Sequence, residues 1–391
     1  MRMISLILVL ILHINVDEAN AGPDQPFFTR ADGETLSAEQ IDGAVERLMQ
    51  AGNVPGLALA LIKDGEVSYI KAYGMADVAE GRPLQADTIM YSASLTKAAF
   101  AYMVMTLIDE GAANLDSPIS EMLPRPLDQY EDYADLAGDE RWRQWTLRML
   151  LSHQAGLPNW RWFSDSKKLE ILFEPGSRYA YSGEGIQVAQ LVLEEGLGLD
   201  VNKLMQERIF DSFGMHRSSM LWREDFRPNF ARGHDEHGKS LGHRMWQSAG
   251  AAGSMDTTLA DFAAFLAGVS TGEGISKEAR AEMLGRQVRI TARHQFPSQF
   301  PVDTDANEDI KLSYGLGWGL FESHFGPAFF KEGHDDGTNN YALCLDRSKH
   351  CILILSNSSN GESIFLYLVD ELLGETGLPW EWERYIPYDR S

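Results

Sequence analysis

Cysteine is scarce in this chain, with two residues in 391. That excludes a disulfide-built scaffold and a cysteine-rich zinc fold. Basic residues are also few, 34 Lys and Arg against 57 Asp and Glu, for a formal net charge of −23. Nucleic acid needs a basic face for its phosphates and an anionic membrane surface needs a polybasic patch, so neither is an expected partner. No apolar run reaches the roughly 18 residues that span a bilayer, so no stable membrane anchor is expected. Gly-x-Ser-x-Gly and His-Glu-x-x-His do not occur, which removes the α/β-hydrolase elbow and the two-histidine zinc helix. The remaining composition, 44% apolar and 23% charged, is that of a globular protein with an ample core.

Residues 1–21 read as a secretory signal peptide. Arg2 opens it, residues 4–12 are apolar but for Ser5 and too few to span a membrane, and Ala19-Asn20-Ala21 is a small-x-small cleavage site. A buried first helix or an anchor is the alternative. Residues 22–391 are expected to form a single catalytic domain, periplasmic or secreted. Export places Cys344 and Cys351 in an oxidising compartment. They face each other across two strands joined by Asp346-Arg347-Ser348-Lys349. Opposed strand residues are close enough to bridge, so the pair is either a cross-strand disulfide or two buried thiols.

The periodicity predicts a helix over 35–50, a hairpin over 56–73 turning at Lys63-Asp64-Gly65-Glu66, and an apolar helix over 96–110 stopped by Gly111. Residues 128–140 are acidic and read as a solvated loop. Residues 142–270 look mainly helical, short strands return over 312–356, and 364–373 reads as a closing helix. Strands at both ends with helices between them predict an α+β fold: one antiparallel sheet flanked by helices, with a mainly helical lobe inserted at about 101–270.

Ser-x-x-Lys occurs three times. A serine activated by a lysine three residues on needs both side chains on one helical face. Ser68–Lys71 falls in a strand, where odd spacing sends the two to opposite faces. Ser164–Lys167 lies in a polar run with no apolar wall to lower a lysine pKa. Ser94–Lys97 opens the apolar helix, where the N-terminus favours developing negative charge and burial favours a neutral amine. A capping serine beside a snorkelling lysine is the plainer reading of the same pair. Gly233-His-Asp-Glu-His-Gly238-Lys239-Ser240 matches a P-loop in letters only, because no strand precedes it and Asp235 and Glu236 would repel phosphate. His234, His237 and His243 lack helical ligand spacing and read as a solvated loop rather than a zinc site.

Several boxes in order resemble the class C β-lactamase family, which also holds D-alanyl-D-alanine peptidases and β-lactamase-like esterases. They are Met90-Tyr-Ser-Ala-Ser94-Leu-Thr-Lys97, the Trp145–Leu157 helix and turn around His153, Phe173-Glu-Pro175-Gly176 through Tyr181-Ser182-Gly183, Glu207–Met215, Ala249–Asp256, Tyr314-Gly-Leu-Gly-Trp318 and Gly333-His334. The resemblance covers about residues 37–370. It implies a serine hydrolase working through an acyl-enzyme, with Ser94 as nucleophile and Lys97 and Tyr181 handling the proton, either as neutral amine or as phenolate. It implies an oxyanion hole from the backbone of Ser94 and Gly337, and it puts His334 at the head of the third box. Ser182, Asp336, His334 and Gly337 are the expected substrate contacts. No cofactor or metal is implied.

Two departures bear on the substrate. The second box has Gly183 where the family has Asn, and glycine cannot supply a carboxamide's hydrogen bonds. The third box reads His334-Asp335-Asp336-Gly337, and a carboxylate there disfavours an anionic substrate. The expected function is hydrolysis of β-lactams or related amides. A carboxylesterase or D-amino-acid peptidase with the same nucleophile is the alternative, and a catalytically silent binding or sensor domain is the alternative of another class. The expected partner is a small-molecule substrate.

Overall fold

The computed structural model describes residues 27–296 and 303–390. The leader-type segment at 1–21 lies outside the described residues. The main sheet is built from β1 (Gly56–Lys63), β2 (Glu66–Asp77), β3 (Arg82–Pro83), β4 (Val288–Arg289), β5 (Ser313–Tyr314), β6 (Gly319–Ser323), β7 (Gly326–Asp335), β8 (Thr338–Leu345) and β9 (His350–Ser356). They pair antiparallel in the order β4-β5-β6-β7-β8-β9-β1-β2-β3. β9 therefore meets β1, and the sheet is assembled from the two ends of the chain as expected.

The helices that frame the site are α1 (Ala38–Ala51), α2 (Leu95–Asp109), α3 (Leu147–Leu151), α4 (Gly183–Leu191), α5 (Leu259–Thr271) and α6 (Phe365–Leu372). The central strands are buried on both faces, so they read as continuous apolar runs, and alternation sorts their side chains between two cores. Leu57, Leu59, Leu61, Ile352 and Ile354 pack with α1 and α6. Ala58, Ala60, Ile62, Leu353 and Leu355 pack with α2 and α5. α1 starts where Ser37 and Gln40 exchange reciprocal hydrogen bonds, a capping box worth about 1 kcal/mol. α2 is buried on every side from Leu95 to Leu107, which is why it shows no polar stripe and can hold Lys97 on its first turn without fraying.

The sheet breaks off after Pro83 and resumes at Val288, and the segment between is less helical than expected. Residues 152–182 and 211–258 are mostly irregular, held by loop hydrogen bonds rather than helix ladders. The acidic stretch 128–140 is also not a plain solvated loop. It winds through the short turns Leu127–Gln129 and Glu131–Leu136 and buries Tyr130, Tyr133 and Leu136. Three apolar anchors outweigh the charges around them. Cys344 and Cys351 are paired residues of β8 and β9 and form the disulfide. No helix among the described residues is long and apolar enough to cross a membrane.

Candidate active site

Ser94 stands immediately before α2, and the residue preceding it is held in a conformation alanine avoids: Ala93 has φ +46°. That costs about 1–2 kcal/mol, and such strain gathers at working sites. The turn is pinned by Ser92 Oγ donating to the Met255 carbonyl at 2.6 Å and Thr96 Oγ1 donating to the Ala93 carbonyl at 2.6 Å. One turn on, Lys97 Nζ lies 2.8 Å from Ser94 Oγ and 2.6 Å from the Ala252 carbonyl. Lys97 is 1% exposed. Burial first, and then the charge of Lys331, hold its pKa well below the usual lysine value, favouring the neutral amine that can accept a proton.

Tyr181 comes from the turn before α4. Its hydroxyl lies close to the side chains of Ser94 and Glu332 and receives a hydrogen bond from Lys331 Nζ at 2.9 Å. His153 secures this turn from both sides. Its carbonyl accepts from the Ala180 N–H at 2.9 Å, its Nδ1 accepts from the Ser182 N–H at 3.2 Å, and its ring sits 4.4 Å from that of Tyr181. His153 belongs to a recognised box, but its supporting role shows only in three dimensions. Burial first, and then the Glu332 charge, push the Tyr181 phenol well above its ordinary pKa. Burial thus pushes both groups the same way, toward a neutral Lys97 amine and a protonated Tyr181 phenol.

The third box is displaced from where the sequence placed it. Lys331, not His334, stands beside Tyr181. β7 brings in Lys331, Glu332, Gly333 and His334, and Gly333 is pressed so close to the start of α2 that a Cβ would lie 2.5 Å from the Ser92 carbonyl. The Glu332 carbonyl accepts from Lys331 Nζ at 3.0 Å, so this edge of the backbone at 332 faces the site. Alternation along the strand turns the N–H of His334 to the same edge. The N–H groups of Ser94 and His334 are thus the pair placed to receive an oxyanion. Gly337 is not: its N–H donates to Ser359 Oγ at 2.9 Å, away from the cleft. The signal in the sequence was Lys-x-Gly at 331–333, overshadowed by the Gly-His pair that follows it.

Other expected contacts also move. Ser182 is 1% exposed and caps α4: its Oγ donates to the Pro158 carbonyl at 2.7 Å and accepts from the Gly185 N–H at 2.9 Å. It orders the turn rather than touching substrate. The His334 ring lies at the rim, its Nδ1 2.7 Å from Asn339 Nδ2 and 3.1 Å from Glu362 Oε2. Asp336 lines the cleft, and Asp335 is paired with Arg244, Nε to Oδ2 2.6 Å. The other two Ser-x-x-Lys pairs are inert. Lys71 is ion-paired with Asp42, and Lys167 donates to the Trp162 carbonyl. His234 and His243 do not converge. His234 is buried against the Asn357 carbonyl, whereas His243 bonds Asp256 at 2.9 Å. No cluster of metal-ligand type is found among the described residues.

Ser94 opens into a cleft of about 840 Å³, within the range of small-molecule sites. Tyr91, Trp160, Trp162, Phe163, Trp246 and Phe296 give it an aromatic wall. Trp160 and Trp162 stack at 4.7 Å. A Cβ on Gly183 would lie 2.5–2.8 Å from the Trp160 ring, so indole fills the space a side chain at 183 would need.

The model of the family described as Beta-lactamase matches residues 41–370. The chain is similar to penicillin-binding protein 4 of Amycolatopsis lactamdurans, 25% identical over 83% of this chain and 86% of that protein. It is also similar to the lovastatin esterase of Penicillium rubens, 26% identical over 71% of this chain and 82% of that protein. In fold it is similar to the octameric penicillin-binding protein homologue from Pyrococcus abyssi, with a TM-score of 0.69 and 21% identity over 90% of this chain and 80% of that one. With the matched segment spanning Ser94, Lys97, Tyr181 and Lys331, the chain belongs to the beta-lactamase family of serine hydrolases.

Proposed function

We propose that this is an exported serine hydrolase that cleaves uncharged carboxylic esters through an acyl-enzyme on Ser94. The observation that carries the ester reading is Trp160. It occupies the place beside Tyr181 from which a carboxamide would hold an acylamino side chain, and it presents an apolar wall instead.

Ser94 Oγ attacks the ester carbonyl as its proton passes to the neutral Lys97 amine, 2.8 Å away. The carbonyl oxygen, now anionic, is received by the N–H groups of Ser94 and His334. The proton returns through the Tyr181 hydroxyl to the departing alkoxide, leaving the acyl group on Ser94. Water then attacks the acyl carbon, gives its proton to Lys97, and the same relay restores the Ser94 hydroxyl as the acid leaves. The same three side chains would serve a β-lactam or a D-amino-acid peptide, a second reading supported by the relative named as a penicillin-binding protein. A silent binding domain is disfavoured by the intact Ser94–Lys97–Tyr181 contacts. Export rests on the leader-type segment at 1–21, and cell fractionation with N-terminal sequencing at Gly22 checks it.

The test is turnover and intact mass with a nitrophenyl ester, a penicillin, a carbapenem and an N-acylated D-alanyl-D-alanine peptide. Ester turnover lost in Ser94→Ala and kept in Ser164→Ala supports the proposal. Turnover of lactam over ester supports the second reading. No turnover and no adduct with any of them, or activity surviving Ser94→Ala, overturns the acyl-enzyme function.

A further inference from the structure

Lys331 is fully buried at the back of the cleft and is the cation nearest the Tyr181 hydroxyl. An ammonium has three N–H donors. Here all three have acceptors: Tyr181 Oη at 2.9 Å, the Glu332 carbonyl at 3.0 Å and Glu332 Oε1 at 2.6 Å. Two of the three belong to one residue. Glu332 itself lines the cleft and is 3% exposed, and its second oxygen, Oε2, is buried with no hydrogen-bond partner among the described residues. The next cation along the wall, Arg244, is bound through both Nε and Nη2 to Asp335, at 2.6 and 3.0 Å. Lys97 already contacts Ser94 and the Ala252 carbonyl. Arg384 stands exposed at the rim, with Nη1 on the Phe296 carbonyl, where water and salt screen it.

We propose that Glu332 is a specificity-determining residue that makes the cleft discriminate against substrates carrying a carboxylate near the scissile bond. It does so in two ways. It saturates Lys331, so an incoming carboxylate finds no cationic donor at the nucleophile. Its second oxygen, Oε2, offers an incoming carboxylate an acceptor and no donor. Lys331 and Glu332 together are neutral, as are Arg244 and Asp335, so the inner cleft offers an anion no net attraction. An uncharged ester meets neither penalty. The inference rests on the acyl-enzyme reading of Ser94 and adds what that reading leaves open, which acyl donors are accepted.

The experiment measures kcat/KM for matched esters that differ only in charge. One set carries the charge on the leaving group: 3-acetoxybenzoate against its methyl ester. The other carries it on the acyl group: mono-4-nitrophenyl glutarate against its methyl ester. Wild type is expected to use the neutral member of at least one set at least about tenfold better. Glu332→Gln keeps the shape and an amide oxygen for Lys331. It is expected to shrink that preference at least about tenfold, whatever happens to the absolute rate. Should Glu332→Gln not fold, Glu332→Thr gives the same ratio test, and the wild-type ratios stand without any variant. Equal use of neutral and anionic members by wild type, or ratios unmoved in a folded variant, overturns the role of Glu332. Failure of wild type to turn over the neutral esters at all overturns the ester reading beneath it, so the two failures are distinguishable.

Discussion

Restoring the family's asparagine to the second box, by Gly183→Asn, is expected to harm the protein rather than to create a lactamase. The backbone at 183 is ordinary: Gly183 is the first residue of α4 and is not among the glycines with positive φ. The helix itself would gain a few tenths of a kcal/mol from losing a glycine. The obstacle is space. The first atom of the new side chain would stand 2.5, 2.6 and 2.8 Å from three carbons of the Trp160 ring, and Trp160 is backed by Trp162 stacked at 4.7 Å. Overpacking of this kind costs roughly 1–3 kcal/mol. With an unfolding entropy of about 2 cal/mol/K per residue, that lowers Tm by ~1–4 °C in a chain of this length. Differential scanning of Gly183→Asn, Trp160→Ala and the double variant completes a mutant cycle. A coupling of at least about 1 kcal/mol is expected, with the substitution cheaper once the indole is gone. Only the double variant should gain acylation by an N-acylated lactam, read by intact mass. A Gly183→Asn protein as stable as wild type, or one that costs the same with and without Trp160, would refute the claim that indole occupies the carboxamide's place.

Other expectations follow from the same contacts. Lys97→Met should lower kcat/KM by about 10²–10⁴-fold. In wild type, because burial holds the Lys97 pKa below its ordinary value, activity should fall as pH drops through that pKa and the amine becomes protonated. A pH–rate profile lacking an acidic limb would contradict Lys97 as base. Lys331→Met leaves Glu332 buried without its cation and should cost about 3–5 kcal/mol. The paired Lys331→Met/Glu332→Leu variant should recover most of that stability in urea titrations while remaining inactive. Gly337→Ala should destabilise, since φ is +74° and a Cβ would lie 2.8 Å from the His234 nitrogen. Its folded fraction should keep wild-type kcat if the oxyanion hole uses His334 rather than Gly337. Replacing both Cys344 and Cys351 with alanine opens a link of sequence separation 7 and should lower stability by about 2 kcal/mol.

Local sequence determined a good deal. The hairpin over 56–73, the helix after Ser94, the opposed cysteines and the Ser94–Lys97 pair are set by spacing over a few residues, because alternation and helical periodicity place such neighbours without help from the rest of the chain. Tertiary structure decided the remainder. Which lysine supports Tyr181 depends on how far β7 slides past the start of α2, and Gly333 fixes that at Lys331 rather than at His334. Whether Tyr181 is phenol or phenolate depends on burial and on Glu332, which is 151 positions away but shares Lys331 with it as a hydrogen-bond donor. The acidic stretch at 128–140 is ordered by Tyr130, Tyr133 and Leu136 finding a core that the stretch itself does not contain. The missing carboxamide at Gly183 could be read from the sequence as a loss. Only packing shows that an indole has taken its place, since van der Waals contact between residues 160 and 183 is set by the fold and not by their separation along the chain.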